Sequence, residues 1–167
     1  MIILGVDPGI AIVGIGIIEY VGNKFSVLNY KAITTTNKNT LPERLEIIYD
    51  ELNDIINLYK PDAFVLEELF FNQNVKTAIT VGQARGIAVL TAQKNKIPIY
   101  EYTPLQVKQA VVGYGRADKK QVQQMVKVLL NLKEIPKPDD VADALAIAIC
   151  HAHTNNMSNF FIMRWGE

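Results

Sequence analysis

The chain has little sulfur and little imidazole: one cysteine, Cys150, and two histidines, His151 and His153, among 167 residues. A lone thiol excludes an intramolecular disulfide, so nothing requires an oxidising compartment. The two histidines are spaced i, i+2 and do not share a helix face, so they read as surface or dimer-edge residues rather than metal ligands. Net charge is also missing, because 17 Lys and Arg balance 17 Asp and Glu. No stretch reaches the roughly 18 uncharged apolar residues of a membrane span. The apolar run at residues 1–6 meets Asp7 with neither a basic leader nor a long apolar region. A soluble, cytoplasmic protein is expected. No linker or internal repeat divides the chain, and 49% hydrophobic content suffices for one substantial core.

What is present is an uneven distribution of charge. Between Lys76 and Lys133 ten basic residues face only Glu101 and Asp118, so the rest of the chain carries a matching acidic excess. Such a split sets an acidic centre beside a basic surface, as a site that cuts a polyanion requires. Solvated helix faces would produce the same count.

Local patterning alternates strands and helices. Residues 2–6, 10–18 and 25–34 are β-rich and separated by the turn signals Asp7-Pro8-Gly9 and Gly22-Asn23, which predicts an antiparallel meander. Leu45, Ile48, Tyr49, Leu52, Ile55, Ile56 and Tyr59 then form one helical stripe, opened by a Thr40/Glu43 capping box and closed by Pro61. Residues 63–66 are apolar on both faces, as in a central strand covered by helices. A helix over 75–94, a strand over 98–102 and helices over 104–112, 118–132 and 139–153 complete an α/β fold with a mixed five-stranded sheet.

Three apolar runs end in carboxylates: Asp7, Glu67 with Glu68, and Asp140 with Asp143. Burying ionised carboxylates without partners is costly, and a divalent cation supplies the partner. Oxygen donors alone favour Mg2+ or Mn2+ over zinc. Asp140 and Asp143 are three apart at a helix start and share a face, and adjacent parallel strands would bring Asp7 and Glu67 together. Each acid has an ordinary alternative: Asp7-Pro8-Gly9 suits a type II turn, and Asp139 or Asp140 suits a helix cap.

The runs ILGVDPGIAIVGIGII, FVLEELFFNQN, VGQARGIAVL, EYTPLQVKQAVVGYGRADKKQVQQMV and DDVADALAIAICHAH together resemble the RuvC family of crossover-junction endodeoxyribonucleases. The resemblance is collinear over residues 1–153, which it implies to be an RNase H-like nuclease domain; residues 154–167 depart from the family pattern as a C-terminal tail. It further implies a homodimer that nicks two opposed strands of a four-way (Holliday) DNA junction, and a branch-migration motor complex (RuvA and RuvB) as partner. The family's four acidic ligands map onto Asp7, Glu67, Asp140 and Asp143, and its catalytic or DNA-handling lysines onto Lys108 and Lys119. Two Mg2+ ions per site, replaceable by Mn2+, are expected to serve in-line displacement at phosphorus.

The DNA contacts expected beside these are Phe70, Arg85, Arg116 and Lys120. Phe70, matching a base-stacking residue of the family, adjoins Phe71; the competing reading packs one ring, that of Phe71, into the core. Lys119 and Lys120 follow Asp118, a helix N-cap where the dipole favours anions, so a phosphate bound there would satisfy both lysines. Arg85 in GQARG either pairs internally or reaches a backbone phosphate. Three rival readings stand: another RNase H-like nuclease acting on RNA, an actin-like phosphate-binding protein sharing the DPG hairpin, and a junction-binding module with a vestigial site. The second needs a further repeat of the fold to enclose nucleotide.

Overall fold

The computed structural model describes residues 1–68 and 75–155. Three antiparallel strands lead: β1 (Ile2–Asp7), β2 (Ile12–Val21) and β3 (Lys24–Thr34). There follow α1 (Leu41–Tyr59), β4 (Ala63–Glu67), α2 (Val75–Lys94), β5 (Ile99–Tyr102), α3 (Pro104–Val112), α4 (Lys119–Leu129) and α5 (Asp139–Asn155). The sheet order is β3-β2-β1-β4-β5, with β4 parallel to both β1 and β5. Every expected element is present, and α5 runs two residues beyond its expected end at His153.

Local chemistry explains the boundaries. The Glu43 carboxylate accepts the Thr40 N–H at 2.6 Å, so the anticipated capping box opens α1, and Lys60 closes it in the left-handed conformation. Thr103 and Gln106 form the same reciprocal pair before α3, with Pro104 at its first position.

Strand alternation sorts the core into two layers. Leu4, Val6, Phe64 and Leu66 pack with α1 and α2, whereas Ile3, Ala63 and Val65 pack with α3, α4 and α5. Helix α5 is buried along nearly its whole length, from Val141 to Ala152. It lies directly on β1 and β2, because those strands present glycine there. A Cβ on Gly14 would overlap the Asp140 carbonyl, and one on Gly5 would overlap that of Ala144. Among the described residues no helix is long and apolar enough to cross a membrane.

Candidate active site

Asp7 ends β1 and Glu67 ends β4. The parallel ladder pairs the two strands as far as Val6 and Leu66, so Asp7 and Glu67 are the next neighbours. They alternate with residues of the α1/α2 layer and therefore face α5. Asp140 and Asp143 begin α5 on that side. Gly14, the cross-strand partner of Asp7, is also the residue on which the Asp140 backbone rests. One close contact thus sets the start of α5 over the end of β1.

The carboxylates feel one another strongly. Burial, followed by the negative charges of Asp143, Asp140 and Glu67, pushes the Asp7 carboxyl up to about 7 against a small opposing pull from Lys119. Burial and Asp143 likewise raise Glu67, while Lys108 and Lys119 lower it. Asp143 is raised chiefly by burial, although Lys119 donates a 2.8 Å hydrogen bond to its Oδ2. That ammonium also stands 3.8 Å from Asp139. Despite some burial, its pairing with Asp143 holds Lys119 above the usual lysine range.

As placed, no three His, Cys, Asp or Glu side chains among the described residues close into a group that could hold a metal ion. One of the four acids is already engaged, because the Lys119 ammonium stands 2.8 Å from the Asp143 Oδ2. The donor chemistry nevertheless suits a hard divalent cation, since four carboxylates and no thiol or imidazole converge on one sheet edge. A cavity of about 190 Å³ adjoins them, lined by Glu67, Lys108, Lys119 and Asp143 with Pro104, Val107 and Ile147 at its apolar wall.

A family model described as crossover junction endodeoxyribonuclease RuvC matches residues 3–151. The chain belongs to the RuvC family. It is 66% identical over 161 residues to a crossover junction endodeoxyribonuclease RuvC of Alkaliphilus oremlandii, covering 96% of this chain and 98% of that protein. The solved Thermus thermophilus RuvC superposes with a TM-score of 0.88 at 37% identity, covering 94% of this chain and 96% of that one. A second structure, that protein in complex with a Holliday junction substrate, gives a TM-score of 0.90 at the same identity and coverage. The fold is accordingly RNase H-like and the chain is a crossover junction endodeoxyribonuclease.

Within this RuvC fold the other expected site residues separate. Lys108 and Lys119 line the cavity beside the acids. Arg116 and Lys120 are exposed near the start of α4. The phosphate cradle expected at that start is partly filled from within, because the Asp118 carboxylate accepts the Gln121 N–H at 2.9 Å. The unfavourable position of Lys119 at a helix N-terminus is met by its ion pairs to α5.

Arg85 does not stand among the surface cations. It is buried on the α1/α2 side, ion-paired to Glu101, and donates to the Glu67 carbonyl at 2.9 Å. A DNA contact from this side chain is therefore corrected to an internal pairing, since the guanidinium is already engaged beneath the sheet. His151 also departs from its surface reading. Only 1% exposed, it meets the Tyr102 hydroxyl at 2.9 Å, and burial holds its imidazole down to about 4. His153 is partly buried, with its Nδ1 2.9 Å from the Ala110 carbonyl. Phe70, Phe71 and the tail beyond residue 155 lie outside the described residues.

Sequence reasoning missed three contributors. Gly14 and Gly5 permit the helix approach that assembles the site, and their signal was glycine inside otherwise apolar strand runs. Glu101 is the other, and nothing local marks it.

Proposed function

We propose that the chain resolves four-way DNA junctions in the cytoplasm during recombination and repair, as a homodimer making symmetric paired nicks with Mg2+. The observation that carries this reading is the half-buried Asp7 carboxyl, crowded by Asp143, Asp140 and Glu67 at the end of a central strand. A carboxylate held at such cost is suited to a cation. Asp7, Glu67, Asp140 and Asp143 would hold two Mg2+ ions, with Mn2+ as a substitute. Such a metal pair would supply an activated water and charge stabilisation for the leaving 3′ oxygen at phosphorus.

The chain's own groups supply the rest. Asp7 and Glu67, anchored on paired strands, present oxygens from a rigid sheet edge, which favours fixed geometry over loop placement. Lys108 and Lys119 bring positive charge to the same cavity, where it stabilises the charge developing on a phosphodiester oxygen. Lys119 is held by Asp143 and Asp139, and a phosphate or cation arriving at the site competes for those partners. Arg116 and Lys120 contribute exposed charge for the flanking backbone. Phe70 is proposed to stack on an unpaired base at the junction centre.

The two-fold arrangement of the substrate calls for two sites, and we assign the contact to α2. Ile79 and Leu90, three helical turns apart on one face, are 58% and 50% exposed there. The RuvA and RuvB motor partnership is part of the same proposal. Residues 1–153 would serve as the nuclease domain, with 154–167 as its tail.

The test is a synthetic four-way junction labelled on opposing strands and incubated with Mg2+. Symmetric nicks on both strands, absent in EDTA, are expected. Cleavage of RNA hybrids in preference to junctions would favour the other RNase H-like reading, and stabilisation by ATP would favour the actin-like one.

A further inference from the structure

We propose that Arg85 is a positioning residue for Glu67: it joins the Glu67 carbonyl to the Glu101 carboxylate and so fixes where the Glu67 side chain stands. This rests on the reading of Glu67 as a cation ligand.

The geometry is specific. Glu67 lies one residue past the end of the β1 ladder, where strand pairing with Val6 and Leu66 stops. A carbonyl at a strand end needs a partner, and here the partner is the Arg85 Nη1 at 2.9 Å. The other terminal nitrogen of the same guanidinium is ion-paired to Glu101 of β5. Glu101 is the strand neighbour of Leu66, so it faces the α1/α2 layer, on the side of the sheet opposite the carboxylate cluster. The next sheet bond, from the Glu68 N–H to the Tyr102 carbonyl at 2.8 Å, ties the same strand end to β5. One side chain from α2 therefore clamps the last residue of β4 under the ligand, without reaching the substrate side.

The chemistry supports a role in precision over one in stability. Arg85 is only 8% exposed, and apolar replacements of a buried ion pair are often neutral or stabilising. A planar guanidinium serves two acceptors from fixed positions at once, whereas an ammonium is a single point charge. Residues that orient a metal ligand from behind typically alter metal affinity by about 10–100-fold when removed.

The experiment compares wild type, Arg85→Lys, the double variant Arg85→Met/Glu101→Leu, and Glu67→Gln in the full chain. Mn2+ binding is measured by calorimetry, Tm by scanning, junction affinity by mobility shift in EDTA, and cleavage against Mn2+ concentration. We expect both Arg85 variants to bind Mn2+ about 10-fold more weakly and to need correspondingly more Mn2+ for half-maximal cleavage. Junction affinity in EDTA stays at the wild-type value. The double variant guards against misfolding, because it removes both charges together and leaves neither buried alone. If it has wild-type Tm and wild-type Mn2+ affinity, Arg85 is a structural partner only and the proposal is overturned. Unchanged Mn2+ affinity in Arg85→Lys, with a folded protein, overturns it equally. Glu67→Gln is the separate check on the underlying site: wild-type Mn2+ binding there would remove Glu67 from the ligand set whatever Arg85 does.

Discussion

At the scale of single residues, the most informative group is Asp7. Its carboxyl is pushed up to about 7 by burial and by Asp143, Asp140 and Glu67. A carboxyl raised from 3.8 in the unfolded chain to about 7 when folded contributes stability that is complete below the lower value and is lost as pH rises through the higher one. Metal-free protein should therefore lose Tm between those limits, as followed by thermal melts across pH. Added Mg2+ should raise Tm more above pH 7 than at pH 5, because only the ionised form invites a cation. Asp7→Asn should flatten the metal-free pH profile and raise Tm at alkaline pH. The same change should lower junction cleavage by at least about 10³-fold, equivalent to about 4 kcal/mol of transition-state stabilisation. Junction binding in a mobility shift should persist. Lys120→Ala, at an exposed cation, should weaken binding uniformly and reduce the slope of affinity against salt by about one; an unaltered slope would remove it from the phosphate contacts.

Among elements, the placement of α5 decides the site. Gly14→Val should push the start of this helix off β2, because the added carbons meet the Asp140 backbone directly. A cost of about 1–3 kcal/mol in stability is expected for such overpacking, readable in denaturant melts. Cleavage should fall further than stability alone explains, since Asp140 and Asp143 move together. The elements themselves were legible in sequence: the Thr40/Glu43 box, the helix from residue 104 and the β-rich runs all stand where residue chemistry puts them. Asp7 and Glu67 were also legible as strand-end acids. The partners of Arg85 and Lys119 were not, because Glu101 and Asp143 lie on other elements and only sheet register or helix packing brings them near. His151 was misread for a related reason. A helix seated on a sheet and flanked by α3 and α4 buries more than one stripe, so an i, i+2 polar pair does not mark a surface there.

For the whole molecule, the sheet separates two kinds of surface. The carboxylates and the cavity lysines stand on the α5 side, and Arg85 reaches the same strand end from the α2 side. Ile79→Glu with Leu90→Glu should convert the proposed dimer into a monomer in sedimentation experiments. On a doubly labelled junction such a variant should leave uncoupled single nicks in place of paired ones. Undisturbed dimers would move the proposed contact away from α2. The order of elements along the chain has one more consequence. The central strand β1 is made early, but the helix that covers its glycines comes at the far end of the described chain. A ribosome-bound chain must therefore wait, its middle strand roofed on one side only, until α5 has been synthesised. Nascent chains stalled ahead of α5 should therefore remain open to proteases, and those that include it should resist them.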